Sequence, residues 1–272
     1  MSHQLVLSLF PGADLLGLAF EREGFTVVQG PDIIFGRRIQ DFHPPRGAFQ
    51  GIIGGPPCQM FSVMRYINPL AGAKHGNLIP EFERVVTEAQ PEWFVMENVR
   101  DAPMPVVDGY TVRSELIRDV WVGGNTLRQR RFSFGIEECG GNHFAIEPVA
   151  LHTTEPDVSA LAGGGAREVP VKLQRDGNGG HVEKKRYGNS GKRSALGYGG
   201  NSKDGLAQRL AAQGLPEDFL RDAPYTAGAK SKLIGNGVPL PMGRAVARAV
   251  KRALGIEAVD PTPRNDFEGH HA

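Results

Sequence analysis

Apolar positions along the chain fall into short runs set apart by polar, glycine-containing turns. Residues 4–10, QLVLSLF, form one such run and stop at Pro11-Gly12; residues 15–23 then carry apolar side chains at helical spacing as far as Gly24. The pattern predicts strand, glycine turn and helix. Three further runs read as strands: FTVVQG at 25–30, FQGIIGG at 49–55 and EWFVMENV at 92–99, the last preceded by a helical stretch at 80–89. Strands alternating with helices at this spacing predict an α/β domain with a doubly wound, mostly parallel sheet, whose ligands belong at the carboxyl ends of the strands. The segments YTVRSEL and RQRRFSFGI are expected to add an antiparallel pair near the sheet edge.

After about residue 140 the pattern lapses. Residues 163–205 hold 12 of the 36 glycines and few large apolar side chains, and RDGNGGHVEKKRYGNSGKR within them has six basic residues against two acidic ones. Such a segment cannot supply a core, so it is expected to be mobile or to fold on a partner. Periodicity returns at 204–216, where Leu206 and Leu210 suggest a helix ended by Gly214, and again in the amphipathic stretch 240–255, which stops at Gly255. The tail from Asp260 is expected to be disordered.

Composition narrows the picture only slightly. A formal net charge of +1 announces no global basic field, so a nucleic-acid partner would have to be met by a local patch. The two cysteines, Cys58 and Cys139, lack metal-type spacing and support neither a disulfide framework nor a zinc site. The N-terminal Met1-Ser-His-Gln4 has none of the features of a signal peptide, and no apolar run is long enough to span a membrane, so a cytoplasmic protein is expected.

The candidate chemistry begins at GGPPCQMFS, residues 54–62, where Cys58 stands behind two prolines just beyond the third strand. Glu97 ends the fourth strand in MENV. Taken singly, each has a plain explanation. Cys58 suits a small core position, Glu97 a helix cap, Arg128, Arg130 and Arg131 a solvated basic edge, and Gly235-Asn236-Gly237 a turn. Together, a cysteine and a glutamate at the carboxyl ends of neighbouring parallel strands converge on one cleft, a pairing suited to covalent attack on a heteroaromatic ring.

With LSLFPG, GGPPCQMFS, MENV, LRQRRF, LAAQGLPEDF and IGNGVPLPMGRAVA in this order, the sequence resembles the cytosine-C5 DNA methyltransferases, which depend on S-adenosylmethionine. The resemblance covers nearly the whole chain apart from residues 140–204. It implies a class I methyltransferase-like fold and methyl transfer to C5 of a cytosine flipped out of double-stranded DNA, by a monomer, in the setting of restriction-modification. Cys58 is assigned the attack on C6. Glu97 is assigned, in protonated form, to N3 and the 4-amino group, while Arg128 and Arg130 match the two motif arginines, Arg130 as the contact to O2 and Arg131 as an outward neighbour. Gln59 and Ser62 are placed at the DNA backbone or the orphaned base, and Lys184, Lys185 and Arg186 supply phosphate contacts. The donor is assigned to Phe10, Gly12, Asp32, Pro57, Leu78, Asn236 and Val238. The implied organisation is a catalytic and cofactor-binding domain at 1–139, a small target-recognition region with a mobile basic loop at 140–224, a returning segment at 225–259 and a tail at 260–272.

Three positions depart from the family pattern. Asp14 replaces a glycine of the first turn, where an inward carboxylate would repel the donor's own. The ribose-binding acid, Asp32, follows its strand only after Gln29-Gly30-Pro31. Arg37-Arg38-Ile39 stands where Gly-Asp-Ile is usual, leaving Asp41 as the nearest substitute for the missing carboxylate. These departures motivate a second expectation, a catalytically weak homologue that binds or protects DNA. A third is methylation of structured RNA by the same chemistry. A nicotinamide-dinucleotide sheet is disfavoured, because no Gly-x-Gly-x-x-Gly follows the first strand.

Overall fold

The computed structural model describes residues 4–57, 76–137, 145–146 and 203–256. Six strands form one sheet: β1 (Leu5–Leu9), β2 (Thr26–Gln29), β3 (Gly51–Gly54), β4 (Trp93–Asn98), β5 (Tyr110–Arg118) and β6 (Gln129–Glu137). Their order across the sheet is β2-β1-β3-β4-β6-β5. The first four run parallel, and β6 lies antiparallel to both β4 and β5. The alternating runs and the antiparallel edge pair are thus where the hydrophobic pattern puts them, with ends shifted by a residue or two. The described helices are α1 (Leu15–Arg22), α2 (Ile79–Ala89), α3 (Lys203–Ala212), α4 (Ala227–Asn236) and α5 (Leu240–Ala253). No described helix is long and apolar enough to cross a membrane.

Strand alternation divides the core in two. Val6, Val95, Phe132 and Phe134 face Phe20 of α1 and Met242, Val246 and Val250 of α5. From the opposite face Leu7, Ile52, Phe94 and Met96 meet Phe82, Val85 and Val86 of α2. Neighbouring residues of β1 and of β4 therefore serve opposite layers, as a period of two requires. Trp93 anchors the first layer, its ring stacked at 6.0 Å on Phe20. Gly51 on the adjacent strand is bare for that ring, since a Cβ there would come within 2.2 Å of it. A third cluster joins Leu15 and Ala19 of α1 to Leu210 of α3, Leu215, Ile234 of α4 and Leu240 of α5.

The return of the chain's far end to the first strand is the feature that builds the site. Helix α5 packs along α1, where Gly243 lets the helices approach so closely that a Cβ would lie 2.6 Å from the Cβ of Ala19. Glu23, at the end of α1, accepts from Arg244 at 2.7 Å and Arg248 at 3.0 Å, and its carbonyl accepts from Lys251 Nζ at 2.6 Å. The turn between α4 and α5, with Asn236 and Val238, is thereby delivered to the carboxyl end of β1.

Candidate active site

Parallel pairing of β3 and β4 aligns Gly54 with Met96, so the residues just beyond them, Gly55 and Glu97, stand side by side at the sheet's carboxyl edge. A Cβ on Gly55 would lie 2.9 Å from Glu97 Oε2. Glycine here is thus what leaves room for the carboxyl. The next residue is tied down as well, for Asn98 Nδ2 donates to the Pro56 carbonyl at 3.4 Å. Antiparallel pairing of β4 with β6 brings Arg130 to the same edge, where its Nε lies 2.7 Å from Glu97 Oε1. Both side chains keep some contact with solvent, at 20% and 12% exposure, as groups that must meet a ligand should. Cys58, Gln59, Ser62, Lys184, Lys185 and Arg186 lie outside the described residues.

The second motif arginine has a different place. Arg128 is buried, and its Nη1 donates to the Gly235 carbonyl at 2.9 Å while Nη2 reaches the Asn236 carbonyl at 3.4 Å. These are carbonyls of the last turn of α4, which lacks amide partners within its own helix. The arginine expected to serve the substrate therefore grips the turn that carries Asn236. A buried acid supports its strand from behind: Asp119 Oδ2 accepts from Thr126 N at 3.0 Å and Thr126 Oγ1 at 2.8 Å, and burial pushes the Asp119 carboxyl above its ordinary range. Arg131 points away, donating to the Arg100 carbonyl through Nη2 at 2.8 Å.

A pocket opens between the two arginines' territories. Its walls include Phe10, Asp14, Gly54, Gly55, Glu97, Asn236 and Val238, so it runs from the β1 turn to the carboxyl of β4. Of the residues assigned to the donor, Phe10, Asn236 and Val238 meet there. Gly12 and Asp32 are joined to each other instead, Asp32 Oδ2 accepting from Gly12 N at 2.9 Å. Leu78 precedes α2 and packs on its apolar cluster, and Pro57 continues the loop beyond β3. Arg38 and Asp41 are both exposed around a short 3-10 turn at Ile39–Asp41. Two glycines keep the pocket narrow and smooth. A Cβ on Gly54 would lie 2.9 Å from the Leu9 carbonyl, and one on Gly237 would lie 2.6 Å from Leu15. The lining mixes apolar side chains of β1 and α1 with the Asp14 and Glu97 carboxyls, and the N-terminus of α1 borders it.

The turn from β1 to α1 is unusually wound. Phe10, Gly12 and Asp14 all have positive φ, at 55°, 56° and 50°. Left-handed backbone at a non-glycine residue is uncommon and tends to persist where surrounding contacts enforce it. Asp14 supplies such contacts. It caps α1, its Oδ1 accepting from Gly17 N at 3.1 Å and from Ser8 Oγ at 2.7 Å. Burial raises the pKa of its carboxyl, against the opposing effect of hydrogen bonds from Ser8, Gly17 and Gln29. Sequence reasoning treated Asp14 only as a departure; an aspartate just ahead of a helical pattern is also an N-cap signal.

Comparisons with known proteins converge on one family. Residues 36–103 match the family model described as C-5 cytosine-specific DNA methylase. The type II methyltransferase M.FnuDI of Fusobacterium nucleatum is 33% identical over 116 residues, 35% of this chain and 32% of that protein. For M.NgoPII of Neisseria gonorrhoeae the figures are 31% over 113 residues, 35% of this chain and 33% of the relative. The chain thus spans about a third of the length of these curated relatives. Among solved structures, the Entamoeba histolytica methyltransferase EhMeth superposes with a TM-score of 0.60 at 11% identity, covering 93% of this chain and 99% of that one. The Dnmt2 methyltransferase of S. pombe gives 0.54 at 11%, with the same coverage. At this identity the likeness is one of fold.

Proposed function

We propose that the chain is a cytosine-C5 DNA methyltransferase, as its match to the C-5 cytosine-specific DNA methylase model over residues 36–103 supports, and that it transfers a methyl group from S-adenosylmethionine to C5 of a cytosine in double-stranded DNA. The observation that carries this reading is the Glu97–Arg130 pair at the mouth of the pocket, beside the Gly55–Pro57 loop that leads into Cys58. The bound donor supplies an electrophilic methyl on a sulfonium. Cytosine C5 is a poor nucleophile, and the chain's task is to change that.

The Cys58 thiolate adds to C6, which makes C5 enamine-like and able to accept the methyl. Loss of the C5 proton and elimination of the sulfur then restore the ring. Negative charge moves toward N3 as the thiolate adds. Glu97 meets it with a protonated carboxyl that also accepts from the 4-amino group, and Arg130 moves to O2. In the free site the carboxyl and the guanidinium hold each other at 2.7 Å, so each arrives at the base from a defined position. The reaction requires the cytosine to leave the helical stack, at a cost of a few kcal/mol. Gln59 and Ser62 face the gap it leaves, and Lys184, Lys185 and Arg186 hold phosphates from the target-recognition region. Pro57 and Leu78 complete the donor's walls, with Gly12 and Asp32 at its amino-acid and ribose ends. The protein acts as a monomer in the cytoplasm.

Incubation with duplex DNA and methyl-labelled S-adenosylmethionine tests the reading. Label is expected on cytosine C5; folded protein that leaves diverse duplexes unlabelled would refute it.

A further inference from the structure

Asp14 is at once the N-cap of α1 and part of the pocket wall. The first amides of α1 point out of the helix unpaired, and together with the helix dipole they form a natural seat for an anion. Here the protein's own carboxylate occupies that seat, with Gly17 N donating to Oδ1 at 3.1 Å. The arrangement has been given room. A Cβ on Gly17 would lie 2.4 to 2.5 Å from the carboxyl carbon and both oxygens of Asp14, so the carboxyl in this position requires a bare residue at 17. Ser8 Oγ fixes the same oxygen from β1 at 2.7 Å. The side chain nevertheless forms part of the pocket wall that also includes Glu97 and Asn236.

We propose that Asp14 is a specificity-determining residue of the donor pocket: it takes the anion position at the N-terminus of α1 and so penalises the donor's α-carboxylate relative to a ligand that lacks one. The inference rests on the donor assignment above. With the transferred methyl turned toward Glu97, the end of the donor that reaches α1 is the amino-acid end, which holds its one anion. The adenosyl body needs apolar area instead and cannot use a helix N-terminus in the same way. Two carboxylates near one helix terminus in a half-screened site repel by enough to change affinity about tenfold or more.

Calorimetric titration with S-adenosylmethionine and with its decarboxylated analogue, which keeps the sulfonium and amino groups, tests this on the full chain. Asp14→Asn preserves the cap and removes the charge; Asp14→Gly removes the side chain in a backbone conformation glycine accepts. In either folded variant, the preference for S-adenosylmethionine over the analogue is expected to rise about tenfold relative to the parent protein. An unchanged preference in both variants, with both ligands bound, would overturn the role of Asp14 and leave the donor assignment standing. Failure of both ligands to bind any of the three proteins would overturn the donor assignment and this inference with it.

Discussion

Arg130 Nε stands 2.7 Å from Glu97 Oε1, across the antiparallel pair of β6 and β4. The contact joins two sequence motifs into one acid-and-cation unit at the sheet's carboxyl edge. Replacing Glu97 by glutamine keeps the shape and removes the transferable proton. E97Q is expected to lower kcat by about 100-fold or more, the usual worth of a positioned general acid, while donor affinity stays within about twofold. Steady-state kinetics and donor calorimetry check both halves, and an unchanged kcat would remove Glu97 from the chemistry.

The two motif arginines should separate in their effects. Arg128 is buried against the carbonyls of Gly235 and Asn236, so R128M leaves them without their charged donor. A loss of about 2–4 kcal/mol in stability is expected, with weaker donor binding through the displaced Asn236 turn. Arg130 is partly exposed and, among the described residues, pairs with the Gln129 carbonyl and with Glu97. R130M should leave the urea midpoint nearly unchanged and depress kcat. Equal loss of stability in both would contradict the division of roles.

Gly55 gives a test that replaces no charged group. In G55A the new methyl meets Glu97 Oε2 at 2.9 Å and pushes the carboxyl aside. Because Gly55 does not have positive φ, the backbone tolerates alanine. Activity is expected to fall at least tenfold, the cost of a small misplacement at a reacting centre, with thermal stability preserved. Wild-type turnover by G55A would show that the carboxyl is not needed where it stands.

Stability should carry the signature of Asp14. Burial raises its folded-state pKa above the ordinary 3.8, so between those two values the folded protein binds more protons than the unfolded chain. Stability contributed by this group therefore falls as pH rises from near 3.8 through the raised value, and the penalty is constant above it. In Asp14→Asn the penalty is gone. The variant's stability relative to wild type is expected to be greater at pH 7 than at pH 4, measured by urea unfolding; a difference independent of pH would show that the carboxyl titrates alike in both states.

The sheet was legible because its strands are short apolar runs with turns between them. Helix α4 was not. Its residues AGAKSKLIGN are glycine-containing and weakly amphipathic, and its fold depends on Thr226 as N-cap and on burial of Ile234 against α1. The site divides in the same way. Glu97 and Arg130 follow from motif and strand ends, which local pattern carries. The grip of Arg128 on Gly235 and Asn236 joins residues more than a hundred positions apart through backbone carbonyls, which no side-chain pattern records. Asp14 was visible as a departure, but its partner Gly17 is intelligible only once the helix places the two together.

The most direct test of the covalent account is a duplex carrying 5-fluorocytosine, offered with S-adenosylmethionine. Fluorine cannot leave C5 as a proton does, so the thiol stays joined to C6 after methyl transfer. A denaturation-resistant protein–DNA adduct is expected, absent in Cys58→Ser and undiminished in Cys139→Ser. An adduct that still forms in Cys58→Ser, or none from wild-type protein that binds and methylates the unfluorinated duplex, would contradict it.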